Sequence, residues 1–306
     1  MGSLQVTPLP SILEGESIRA ADWSSDGQHL AASTDDGHVL VWNQATGNVT
    51  RHPVATGHAL AVVRWCPTRD EIACTGWGLS AILLTPHARC MRELDSGALR
   101  SYRGASWSPD GSCLALVDQN YLNPVVWQRP PHAPVNYEAA DSPLRAVSWA
   151  SDGRRLAAVS DIGTLVTWDT GGRRLDALPA TSPQQGQSGP AVTWIPTGSM
   201  IACGDQSGAV ALWNPLEKRM IGSRQVSSVS IVDLAFSAPG NTLICSDGNG
   251  AVRVLHPDTL SEVAIIPGHD NWVGDLHVAV HPSRRLLAIP SRWRRNVAIV
   301  ALDPTP

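Results

Sequence analysis

No stretch of the 306 residues is long and apolar enough to span a membrane, which takes about 20 consecutive apolar residues. The first seventeen residues, MGSLQVTPLPSILEGES, lack the basic start and the long apolar middle of a secretory signal. Val6 stands where N-myristoylation needs Ser or Thr. No Cys-x-x-Cys pair occurs, which argues against a zinc knuckle. A Gly-rich phosphate loop is missing, and so is a Gly-x-Ser-x-Gly elbow between strand and helix. Lysine is nearly absent as well: Lys218 is the only one among 23 basic residues, a bias to which no function attaches. Those 23 face 27 acidic residues, and a net charge of −4 offers no general attraction for nucleic acid or anionic lipid. The absences leave no catalytic, metal or cofactor motif, and they point to a reduced, cytoplasmic setting.

What is present is a repeat. Residues 144–169, LRAVSWASDGRRLAAVSDIGTLVTWD, hold three short apolar runs separated by Asp152-Gly153 and by Ser160–Gly163. The runs are too brief for helices and rich in β-formers, so they read as three strands joined by tight turns. One such unit cannot bury its apolar faces alone. The place of Trp149 recurs at Trp23, Trp65, Trp107, Trp194, Phe236 and Val280, at intervals of 42 to 45 residues. A second series follows it by 19 or 20 residues, at Trp42, Leu84, Trp127, Trp168, Trp213, Leu255 and Val300. Two phase-locked series of seven, with a period just above 40 and built from short strands, predict propeller blades.

Each repeat reads as strands a, b and c plus a more polar strand d. In the first, a is Ile18–Trp23, b is Leu30–Ser33, c is Val39–Trp42 and d is about 49–55. The last repeat stops after its strand c, while residues 4–9 form an unassigned extended piece. Pairing that piece with the last blade would remove an exposed edge and close the ring, and Pro8 suits an outer strand. The expectation is an all-β, seven-bladed propeller of four-stranded antiparallel blades occupying residues 1–306 as one monomeric unit. Gln5 to Thr7 should pair with Val297–Val300. Cys74, Cys203 and Cys245 lie nine residues after their anchors, where Ala32 and Ala158 sit, so they read as small buried strand residues.

These repeats resemble the WD-repeat β-propeller family. Gly57-His58 and Gly268-His269 match its opening Gly-His, Ser108-Pro109-Asp110-Gly111 matches its turn, and Trp168-Asp169 matches its closing pair. The resemblance implies scaffolding or target recognition. Members often bond a His, an Asp, a Ser or Thr and the closing Trp within a blade; no repeat here keeps all four, so ordinary packing is expected to hold the blades. Two stretches break the period: residues 128–143 read as a Pro-rich outer strand and loop, and residues 179–190 as a polar surface loop.

Alternate residues of strand a should face a central channel. They place Asp22 and Arg64 on neighbouring blades, where a salt bridge could form, and Asp233 beside Asp275 and His277. Those three could make a metal or small-ligand site, but a solvated polar channel is the plainer account of them, and no metal or cofactor is expected. The loops between b and c, and those entering a, share one face that this family uses for partners. Trp77, Tyr102, Arg103 and Tyr121 fall there, with Arg19 and Arg145 just inside strand a. The last blade adds Trp272 and the run Arg292, Trp293, Arg294 and Arg295. Trp, Tyr and Arg dominate binding hot spots, so the expected activity is non-catalytic binding of a protein or peptide. The alternatives are an enzyme or ligand site at the channel mouth, and a sensor module of a multidomain NTPase, kinase or protease.

Overall fold

The computed structural model describes residues 4–87, 90–94, 101–118, 120–129, 134–180, 191–196, 200–268, 277–291 and 294–304. Its strands form seven antiparallel sheets of four strands each. Blade 1 comprises Ile18–Trp23, His29–Thr34, His38–Asn43 and Val49–Pro53, within a residue or two of the expected bounds. Trp23, Trp65, Trp107 and Trp149 each end an inner strand, so the repeat's anchors mark the same place in four blades. Inner strands of consecutive blades touch around the ring. Ala20 of blade 1 forms a parallel bridge with His277 of blade 7, closing the circuit.

The core is not inside the blades but between them. Seven apolar clusters occur, one at each junction of neighbouring blades. Between blades 3 and 4, Val117 and Val126 meet Leu144, Trp149, Leu156 and the fully buried Trp168. Alternation along each strand sends successive side chains to the two faces of the sheet, and both faces are covered by a neighbour. This explains why the b strands read as unbroken apolar runs. Cys74, Cys203 and Cys245 have no accessible surface, and burial pushes their thiols well above the ordinary range. Polar contacts recur as turn caps: Asp118, Asp205 and Asp247 each accept backbone N–H groups of the loop between strands b and c.

Blade 7 is completed by the N-terminal strand, Leu4–Pro8, which lies against Asn296–Pro304. The register differs from the expected one. Gln5 faces Asp303, Val6 faces Leu302 and Thr7 faces Ala301, so the partners lie beyond Val297–Val300. The last strand runs for nine residues, to Pro304, and the N-terminal strand begins pairing at its far end. Residues 297–299 are taken instead by the following stretch, where the Leu9 N–H donates to Ile299 O at 2.8 Å and Ile12 exchanges two bonds with Val297.

At the seam between blades 7 and 1, His281 is 1% exposed and packs tilted against Trp23, with ring centroids 4.8 Å apart. Its Nδ1 accepts the Ser283 and Arg284 N–H groups, which leaves Nε2–H to donate to Gly27 O at 3.2 Å. Gly27 has φ +69°, and a Cβ there would collide with the imidazole. Gly27→Ala is therefore expected to destabilise the protein by about 1–3 kcal/mol through left-handed strain alone, with the displaced His281 adding to it. Urea unfolding checks this; an unchanged midpoint would remove the seam from the account.

Candidate functional site

The central channel is a cavity of about 610 Å³, and Asp22, Arg64, Asp233 and His277 all line it. Asp22 makes no ion pair with Arg64 among the described residues. Its Oδ2 accepts the Trp65 N–H at 2.7 Å, binding blade 1 to blade 2. The same arrangement recurs: Ser106 Oγ accepts from Trp149 N–H at 3.1 Å, and Ser148 Oγ from Trp194 N–H at 3.4 Å. Asp233 accepts the Val278 N–H at 3.0 Å. Asp22 and Asp233, chosen on sequence as channel-lining, thus fasten one inner strand to the next, as Ser106 and Ser148 do at two further junctions.

Charge distinguishes the two acids. Burial raises the Asp22 carboxyl to about 6, and the Asp233 charge adds to it; Arg64 and two backbone N–H groups oppose the rise. Asp233 is buried too, but His277 and Arg64, with the Val278 N–H, outweigh burial and hold its carboxyl below the usual range. His277 Nδ1 lies 3.4 Å from Asp233 Oδ1 and 3.5 Å from Arg64 Nη2. Asp275, the third member of the imagined metal site, lies outside the described residues. Among the described residues no three His, Cys, Asp or Glu side chains come together as metal ligands would.

On the face carrying the b–c loops, the structure unites three residues read from the sequence as rim positions. Trp77, half-buried in the b–c loop of blade 2, lies between two guanidinium groups, Arg19 at 4.5 Å and Arg103 at 5.6 Å from its ring centroid. They are the second residues of the inner strands of blades 1 and 3, so the group spans three blades. Arg19 is 8% exposed and pairs with Asp35, which is also bonded by Ser17 Oγ. Arg145 reaches Asp161 at 3.7 Å, and with Arg103 and Asp161 it edges the channel opening.

Beside them, Tyr121 and Leu122 of the blade 3 loop are 44% and 41% exposed, and Ile162 of the blade 4 turn is 63% exposed. Leu122 and Ile162 were missed on sequence because a lone aliphatic residue in a turn carries no pattern. Tyr102 is a correction. It is 1% exposed and packs with Leu114 and Leu116, because strand a of blade 3 starts at this residue and points it inward. Arg294 and Arg295 are exposed, while Trp272, Arg292 and Trp293 lie outside the described residues.

The family model described as WD domain, G-beta repeat matches residues 8–43, which contain the first three strands of blade 1. Among curated proteins the chain is similar to Protein HIR1 of Mycosarcoma maydis, 24% identical over 259 residues, which cover 78% of this chain and 21% of that protein. It is also similar to Protein FIZZY-RELATED 2 of Arabidopsis thaliana, 23% identical over 296 residues, 92% of this chain and 49% of that one. Telomerase protein component 1 of Rattus norvegicus is 30% identical over 159 residues, 49% of this chain and 6% of its own length. The chain therefore spans less than half the length of each of these relatives.

Proposed function

Because this chain is a β-propeller of the WD-repeat family, we propose that it is a non-catalytic platform that binds a protein segment on the b–c face of blades 1 to 4. The observation that carries this is the adjacency on one face of the Arg19–Trp77–Arg103 stack and the exposed Tyr121, Leu122 and Ile162. Apolar side chains so far out of the core are costly in water, and their clustering suits a partner that covers them. Arg103 and Arg145 at the rim favour a segment with acidic groups. The channel acids serve the blade junctions through Trp65 and Val278, which weighs against an enzyme or metal site there. No described helix is long and apolar enough to cross a membrane. Of the six cysteines, the described ones include five that are free, four of them fully buried, which suits a reducing, cytoplasmic setting.

The test compares proteins captured from a lysate by the wild type, Trp77→Ala and Ile162→Asp. Ile162 is exposed, so its variant keeps the test informative even though the half-buried Trp77 also packs against the cluster between blades 2 and 3. A protein recovered by the wild type is expected to fall at least tenfold with each variant, as hot-spot losses of about 1.4 kcal/mol or more require. Equal recovery from all three would discard this face.

A further inference from the structure

The residue that follows each inner-strand anchor is buried: Ser24, Cys66, Ser108, Ala150, Ile195, Ser237 and His281. At two junctions its side chain reaches the next blade, at the glycine four residues past that blade's anchor. The Cys66 thiol points to Gly111 O at 4.0 Å, and His281 Nε2–H donates to Gly27 O at 3.2 Å. Of the seven, only histidine changes charge between pH 5 and 8. It stands between blade 7, whose first three strands come from the end of the chain, and blade 1 at its beginning. This junction, with the N-terminal strand beside it, is the ring's non-covalent closure.

The site holds the neutral ring and has no place for a charged one. Nδ1 accepts from the Ser283 and Arg284 N–H groups at 3.2 and 3.1 Å, so a proton there would confront two donors. The imidazole is 1% exposed, which keeps water from taking over either role. Turning the ring to free Nδ1 would give up the Gly27 bond and the contact with Trp23. The inner strand of blade 1 meets it only with that indole. The charges that reach it are Arg284, from its own turn, and Asp26, from the turn of blade 1. Asp26 is held by Ser24 Oγ–H at 2.6 Å and the Gln28 N–H at 2.9 Å, and Arg285 is turned away to Pro239 O at 3.2 Å.

We propose that His281 is an acid-released latch on the ring: proton uptake at Nδ1 parts blade 7 from blade 1 while the other junctions stay closed. Burial, with the Arg284 charge adding to it, holds the folded imidazole below its ordinary 6.5, against the pull of Gly27 O and Asp26. The opened junction takes a proton that the closed one refuses. Closure is therefore complete above pH 6.5, and each pH unit below favours opening about tenfold until the folded value is reached. The other side of blade 1 responds in reverse. Asp22, raised to about 6, takes its proton in the closed state, so acid firms the junction with blade 2.

The test is backbone amide exchange of the full chain, as protection factors at pH 7.5 and pH 5.0. In the wild type, protection of residues 4–12 and 279–291 is expected to fall at least tenfold at pH 5.0, and that of residues 156–168 in blade 4 less than twofold. His281→Asn keeps an acceptor for the Ser283 and Arg284 N–H groups and carries no charge, so its seam should be equally protected at both pH values. Imidazole NMR of the wild type should show His281 at pH 6 as the neutral Nε2–H form. A wild-type seam indifferent to pH, an equal loss in every blade, the same loss in His281→Asn, or a folded His281 titrating at 6.5 would overturn the proposal. If His281→Asn folds poorly, the comparison of blades and the NMR titration, both on the wild type, decide it.

Discussion

A chain lacking residues 4–12 is expected to lose its cooperative unfolding transition and to self-associate. Those residues supply the fourth strand of blade 7 and, through Leu9 and Ile12, bond along the inner half of the same partner strand. Without them, the nine-residue strand Asn296–Pro304 becomes an edge whose N–H and C=O groups face water, a template for pairing with other copies. Leu4 and Val6 also leave the cluster between blades 6 and 7, and Ile12 leaves the one between blades 7 and 1. Several hydrogen bonds at about 1 kcal/mol each, together with this apolar contact, approach the 5–15 kcal/mol that separates a folded domain from its unfolded chain. Circular dichroism during urea unfolding, with light scattering, reads the outcome. A transition at the wild-type midpoint in a monomeric truncated protein would show that the strand is dispensable.

Asp22→Asn is expected to stabilise the protein at pH 7.5 and to do nothing at pH 4. The Asp22 carboxyl titrates at about 6 when folded, against 3.8 in its ordinary state, chiefly because it is buried. A carboxyl with a raised folded pKa binds its proton more tightly in the native state. Its contribution is full below about pH 4, falls away as the pH rises towards 6, and is gone at neutrality. Asparagine keeps an acceptor for the Trp65 N–H and carries no charge. The gain at pH 7.5 should be about 1–3 kcal/mol, from a pKa displacement of about two at 1.36 kcal/mol per unit, or a few degrees in melting temperature. Asp233→Asn should act oppositely. That carboxyl is held low by His277 and Arg64 despite its burial, so its stabilisation exists above the ordinary carboxylate pKa and disappears in acid. Melting temperatures of the three proteins from pH 4 to 7.5 decide the matter. A parallel shift of both variants, or a destabilised Asp22→Asn at neutral pH, would contradict the electrostatic account.

The blades were legible because their signal is redundant. Trp23, Trp65, Trp107 and Trp149 repeat a position whose function, ending an inner strand, is the same each time. The closure was legible as a partner but not as a register, since nothing in Leu4–Pro8 indicates how far the last strand extends. The geometry of the face proposed for a partner was legible in part. Arg19, Trp77 and Arg103 meet as a stack because strand starts and b–c loops share a face, whereas Tyr102 is one residue too deep. The channel residues were found for the wrong reason. Asp22 and Asp233 were chosen for chemistry, yet they serve backbone N–H groups 43 and 45 residues away, a link that no local pattern reveals.

The pairing of Leu4 with Pro304 also makes the position of the chain's break a matter of topology rather than of stability. A short linker between these two neighbours would turn the ring into a covalent circle that could be reopened at any exposed loop joining two blades. Domains fused beyond Leu4 or beyond Pro304 would leave from neighbouring strands on the outer side of blade 7, tethered at one spot on the circumference.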